Sequence, residues 1–190
     1  MKRRALLLPL PLALALCAAA CMRAAVSDGE REVLLRARDL AAYGFEFPEA
    51  SRYESFNKTV YFDGSYDLIY EFEPPDDAAA DSALYMNVTV TFEKSAQEAR
   101  LVQGIEKFSL NAGMGLEGLK VEERKDFFRY GDASSFHVLT REGAPVGNYF
   151  VTREGAKVYS VLIAGFYFDD PEQWAELVTP RLQKFSALKP

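Results

Sequence analysis

Polar and apolar residues alternate cleanly over two stretches of this chain. Tyr66, Leu68, Tyr70 and Phe72 oppose Asp67, Glu71 and Glu73; Leu84, Met86, Val88, Val90 and Phe92 oppose Tyr85, Asn87, Thr89, Thr91 and Glu93. A two-residue period marks half-buried strands. Asp63-Gly64 joins the run 55–62 to the run 65–73, which predicts a hairpin with Gly64 supplying positive φ. Further on, Thr140-Arg-Glu-Gly-Ala144 recurs as Thr152-Arg-Glu-Gly-Ala156 between apolar runs 134–140, 146–152 and 157–168. This pattern predicts a three-stranded meander with two alike turns of three to five residues at Gly143 and Gly155. The last run is apolar on both faces and belongs near the middle of the sheet. Residues 119–125 and 126–130 read as strand material around a bend.

Three segments carry the helical period. Ser27 and Glu30 have capping-box spacing, followed by Val33, Leu34, Ala37, Leu40 and Ala41 on one face, so 28–42 is expected to be a helix ending near Gly44. Ser95 and Glu98 repeat the box ahead of Leu101, Ile105, Phe108 and Ala112, the expected buried stripe of a helix over 96–112 that Gly113, Gly115 and Gly118 terminate. Asp170 caps a final helix with Pro171 in its first turn and Gln173 at the capping-box position. Its apolar face is Trp174, Leu177, Val178, Leu182 and Phe185, and Pro180 is expected to kink it. Pro74 to Ser82 is an acidic loop, and 45–51 a loop around Pro48. Strands cluster and no βαβ alternation appears, which predicts an α+β fold: an antiparallel β-sheet flanked by helices.

The N-terminus changes the picture. Lys2, Arg3 and Arg4 precede an apolar run from Ala5 to Leu16 and then Ala18-Ala19-Ala20, so 1–20 reads as a signal peptide. Cys21 directly after the three alanines resembles a bacterial lipobox, with Ala18 where leucine is usual; Cys21 is the expected lipid attachment, and ordinary cleavage after Ala20 without a lipid is the alternative. Residues 21–27 are then a lipidated tether and 28–190 a single α+β domain. Cleavage lowers the 22 basic residues to 19 against 28 acidic ones, a net charge of −9. Such a chain lacks the basic surface that nucleic-acid binding requires. Its two cysteines, Cys17 and Cys21, provide no disulfide framework or zinc site.

The segments Gly147-Asn-Tyr-Phe-Val-Thr, Val158-Tyr-Ser-Val-Leu-Ile and Asp170-Pro-Glu-Gln-Trp174, with Leu177, Leu182 and Phe185-Ser186, resemble the Mog/PsbP-like superfamily over roughly 45–186. That group includes an extrinsic photosystem subunit, a Ran-binding nuclear-transport factor and bacterial lipoproteins. The resemblance implies a PsbP-like α/β/α sandwich and a protein-binding or assembly role, with no catalytic motif to carry over.

Candidate chemistry is thin. Gly113-Met-Gly115-Leu-Glu-Gly118 spells G-x-G-x-x-G but follows a helix, where a dinucleotide fingerprint opens one. His137, the single histidine, sits beside Ser134 and Ser135 without a nucleophile elbow. Asp63, Ser65 and Asp67 lack the glycine of a calcium loop, and Asp76, Asp77 and Asp81 read as a solvated loop. The acidic neighbours Glu122-Glu123 and Asp169-Asp170 cannot by adjacency place two carboxylates across a cleft. No catalytic, cofactor-binding or metal residue is assigned. Twenty-five aromatic residues are the compositional outlier; Tyr85, Tyr149, Tyr159 and Tyr167 are candidates for the second sheet face. The expectation is a non-enzymatic envelope lipoprotein that is anchored through Cys21 and binds another envelope protein. Met22 in place of aspartate after the cysteine points to the periplasmic face of the outer membrane. The alternative is a periplasmic small-ligand carrier or sensor with an aromatic-lined pocket.

Overall fold

The alternating runs pair with their apolar sets in register. In the computed structural model, which describes residues 21–46, 53–73, 84–116 and 118–189 (the backbone alone over 111–116), β1 (Cys21–Ala24), β2 (Glu54–Tyr61), β3 (Tyr66–Phe72) and β4 (Tyr85–Phe92) form one meander. β5 (Lys120–Glu123), β6 (Ala133–Arg141), β7 (Ala144–Glu154) and β8 (Lys157–Ala164) form a second. β4 pairs with β8, giving an eight-stranded sheet of order β1-β2-β3-β4-β8-β7-β6-β5 in which every neighbouring pair is antiparallel. The fold is α+β, as expected, and β8 lies centrally between β4 and β7. The expected signal segment 1–20, the loop 74–82 with Asp76, Asp77 and Asp81, and most of the loop around Pro48 lie outside the described residues.

One face of the sheet carries the large core. Tyr66, Leu68, Tyr70 and Phe72 of β3, Met86, Val88, Val90 and Phe92 of β4, Tyr159, Val161 and Ile163 of β8, Phe150 and Phe136 all point to it. Helix α3 (Pro171–Ala187) covers this face with Trp174, Leu177, Val178, Leu182 and Phe185, as its periodicity predicts. Asp170 accepts the Glu172 N–H at 2.8 Å, and the helix continues through Pro180 on its exposed side. Its C-terminal carbonyls are capped from the sheet: Lys157 Nζ donates to the carbonyls of Phe185 (2.9 Å) and Ser186 (2.7 Å).

The expected helix over 28–42 is broken. The Ser27–Glu30 capping box forms, but α1 (Asp28–Arg31) is one turn long, and a 3-10 helix follows over Ala37–Tyr43, closed by Gly44 at φ +93. The reason is Leu35, which lies opposite the Val33–Leu34 face in any continuous helix. Val33, Leu34 and Leu35 are all buried, and consecutive residues can share one core only if the helix unwinds. Sheet tyrosines supply the hydrogen bonds that the unwound backbone lacks. Tyr159 Oη donates to Val33 O (3.2 Å) and accepts from Leu35 N (3.3 Å); Tyr70 Oη accepts from Ala37 N (2.8 Å) and donates to Glu54 Oε1 (3.0 Å).

Other differences are local. The segment expected as a tether contributes β1, whose register sets Cys21 against Tyr61. Asp126–Tyr130 is not a strand: β5 ends at Glu123 and the chain turns at 125–127. The last strand stops at Ala164, where Gly165 takes φ +84, and buried Asn148 holds the departing chain by exchanging two bonds with the Phe168 backbone (2.7 and 3.2 Å). Both meander turns have two loop residues, and the twin pentapeptides place them differently. The first turn is Glu142-Gly143, both at positive φ as in type I′; the second is Gly155-Ala156, opened by positive φ at Gly155 as in type II′. Register follows the flanking apolar residues and an irregularity at Leu139/Thr140, not the turn sequence, because a one-residue slip turns every side chain to the other face. At Gly147 an added Cβ would lie 2.1 Å from Ile163 O, so only glycine allows this approach of β7 and β8.

Replacing Tyr159 by Phe removes a donor and an acceptor from a buried backbone break while keeping the ring. Stability is expected to fall by about 1–3 kcal/mol in urea titration, with faster hydrogen exchange at Leu35. Unchanged stability and exchange would show that the hydroxyl does not hold the break.

Candidate functional site

Helix α2 (Ala96–Leu116) connects β4 to the far-edge strand β5 and packs on the second sheet face. Ser95 caps it, accepting from Glu98 N at 3.2 Å and donating to Glu98 Oε2 at 3.0 Å. Gly113 and Gly115 lie within the helix, which runs four residues further than expected; Gly118 at φ +74 follows its end. The G-x-G-x-x-G spelling therefore begins in a helix C-terminus, the wrong end for a phosphate.

The helix is seated the other way round from the expected orientation. Leu101, Ile105 and Phe108 are 62%, 63% and 75% exposed. The side turned to the sheet carries Ala99, Val102, Gln103, Glu106 and Leu110, against Tyr149, Val151 and Val158. Gln103 Nε2 donates to Ala133 O (3.1 Å), while Tyr149 Oη and Ser160 Oγ donate to the two Glu106 carboxylate oxygens (3.2 and 3.4 Å). Turning the helix over would bury three large apolar side chains but strand both hydroxyls beneath them, and an unmet buried polar group costs about 1–3 kcal/mol. The described part of the helix thus has two apolar stripes on opposite sides, and the bulkier one faces out. Ala99, Val102 and Leu110 were the sequence signal for the seated side; their smaller bulk hid it.

Glu106 borders a groove of about 230 Å³ shared with Asn87, Thr89, Ser109, Tyr149 and Ser160. Burial raises the Glu106 carboxyl to about 7, even though the two hydroxyl donors favour its charged form, and burial with the nearby carboxylate also raises Tyr149. Neither Glu106 nor Gln103 was singled out by sequence reasoning, since a polar residue in an amphipathic helix ordinarily faces water.

The other candidate residues are dispersed. Cys21 is exposed at the start of β1. His137 and Ser135 are buried two residues apart on one face of β6, with Nε2 and Oγ 3.2 Å apart, and burial lowers the imidazole pKa. Ser134 points the other way and accepts from Tyr130 N. Asp63 Oδ1 accepts from Ser65 N and Oγ while Oδ2 pairs with Lys94 at 3.0 Å, pulling its pKa down to about 2; Asp67 accepts from Tyr61 and Thr91 hydroxyls. These oxygens serve the hairpin. Glu122 and Glu123 face opposite ways on β5, and Asp170 caps α3. Among the described residues no three His, Cys, Asp or Glu converge as metal ligands. Of the four tyrosines, Tyr85 and Tyr149 lie on the second face as expected. Tyr159 instead is fully buried on the first face, where β8 pairs it with Val90, and Tyr167 packs on the same core from the loop after β8. They do not line one pocket.

A carboxyl raised on folding adds stability that is complete below its unfolded pKa and lost as pH rises through the folded value. Between pH 4.5 and pH 7 the wild type is therefore expected to lose about 2–3 kcal/mol relative to Glu106→Gln, which keeps an acceptor for the hydroxyls but cannot ionise. Chemical denaturation of both proteins across this range is the check; parallel profiles would contradict the buried-carboxyl account. No protein-family model, curated protein or solved structure matches this chain.

Proposed function

We infer that the chain is an envelope lipoprotein, held by a lipid on Cys21 at the periplasmic face of the outer membrane, that binds a helix of another envelope protein along the outer stripe of α2. The anchor rests on the charged start, the apolar run and Ala18-Ala19-Ala20-Cys21; no helix among the described residues is long and apolar enough to cross a membrane. The binding role rests on one observation above all: Leu101, Ile105 and Phe108 stand in water on a helix whose opposite side is already seated. Their spacing of four and then three residues is the seam that a second helix packs against. Layers of helix on both sides of an antiparallel sheet are in keeping with the Mog/PsbP-like resemblance and its implied assembly role, although eight strands make a larger sheet than that sandwich typically has.

Magnitudes set what the partner must add. Each outward side chain gives about 1.5–3 kcal/mol on full burial. Association costs about 4 kcal/mol or more, so the stripe anchors a wider interface rather than constituting it. Placing charge on this surface should disturb binding without disturbing the fold. The variant Leu101→Glu/Ile105→Glu is expected to unfold within about 0.5 kcal/mol of wild type. A photo-crosslinking residue at position 108 should give one discrete protein adduct in cells, lost in that variant. The same adducts from an exposed control site such as Glu73, or an adduct unaffected by the two charges, would overturn the binding role; an adduct of twice the chain mass would identify a second copy as the occupant instead.

A further inference from the structure

The end of the sheet where Cys21 sits exposes apolar side chains: Met22 on the side of Val60, Tyr61 on the opposite side with Asp67, and Phe62 at the turn between β2 and β3. Cys21 opens β1, and pairing of Cys21 with Tyr61 and Met22 with Val60 leaves no slack between that residue and the folded domain. Phe62 follows Tyr61 at the β2–β3 turn, on the same end. Met22, Tyr61 and Phe62 are 71%, 40% and 92% exposed. Tyr61 also donates its hydroxyl to Asp67, but the hairpin does not call for Phe62: a turn is ordinarily polar, and here Asp63, Gly64 and Ser65 already supply the turn chemistry.

The chain outside the structure indicates what covers this surface. The apolar run of the first twenty residues ends directly at Cys21, so whatever holds that run, or a lipid on that cysteine, brings a bilayer to this end of the sheet. We propose that Met22, Tyr61 and Phe62 form a second membrane contact, lying at the headgroup level of a zwitterionic bilayer beside the anchor. This rests on the Cys21 anchor proposed above. Aromatic side chains favour that depth, and a second contact fixes an orientation that a lipid chain on Cys21 alone leaves free. Charge selects the lipid. Asp63, Asp67 and Glu93 share this end with Lys94 and Arg23, and the chain is acidic overall, so an anionic surface is disfavoured. The contact would fix the domain upright, with β1 and the β2–β3 turn toward the membrane and the β6–β7 turn away from it.

The test uses the membrane-extracted full protein carrying Phe62→Cys or, at the opposite end of β3, Glu73→Cys. Each is labelled with an environment-sensitive fluorophore and reconstituted in phosphatidylethanolamine–phosphatidylcholine vesicles. Thermal melts confirm folding, and intact mass counts labels and acyl groups. The expected result is one label plus acyl mass on each variant, with emission blue-shifted and quenched by nitroxide lipid at position 62 and neither effect at 73. Equal, unquenched emission from both sites on acylated protein overturns the contact and leaves the anchor standing. Two labels without acyl mass overturn the anchor; quenching at 62 alone in that protein still supports the contact, and its absence overturns both.

Discussion

Eight residues of β4 run antiparallel to eight of β8, and this pairing makes one sheet from two meanders. It also dictates the rest of the architecture. The strand that follows β4 in sequence is β5, at the far edge, so the connection must cross a whole half-sheet. Helix α2 makes that crossing and covers β7 and β8 on the second face, while α3 and the broken N-terminal helix cover the first. The two faces end up unlike. One is a thick aromatic core around Trp174; the other is a thin layer in which Ala99, Val102 and Leu110 meet Tyr149, Val151 and Val158 beside the partly buried carboxyl of Glu106.

That thin layer explains how a helix can present its larger apolar side chains to water. Small residues and three polar bonds from Gln103, Tyr149 and Ser160 suffice to seat α2, leaving Leu101, Ile105 and Phe108 free for another surface. Seating through a carboxyl that burial raises to about 7 also makes the attachment of this helix sensitive to pH. The residues that seat the helix and the exposed apolar stripe proposed for recognition thereby lie on opposite sides of one element.

The β2–β3 hairpin, strand β4, the β6–β7–β8 meander and the central place of β8 were legible because a two-residue period and glycine turns are local properties. α3 was legible because its one apolar stripe admits a single seating. Where sequence reasoning failed, two answers competed at the same residues. Leu35 beside Val33 and Leu34 forced unwinding that no helical wheel shows, and the tyrosine hydroxyls that make it affordable come from 33 and 124 residues away. In α2 two apolar stripes competed, and the choice lay with Tyr149 and Ser160 on distant strands. The twin Thr-Arg-Glu-Gly-Ala segments turn at different residues for the same reason: registry is set across the sheet, not within the turn. The fixed place of Cys21 beside Tyr61 was not legible, since Cys21–Ala24 is a strand only by virtue of pairing with β2.

The central claim is that the outer stripe of α2 is covered in its native setting. Hydroxyl-radical footprinting of the purified protein and of intact cell envelopes reads side-chain exposure at Leu101, Ile105 and Phe108 directly. The account predicts strong modification of all three in the purified protein and protection of all three in the envelope, with exposed Glu73 modified alike in both. Equal modification of the stripe in the two settings would contradict it.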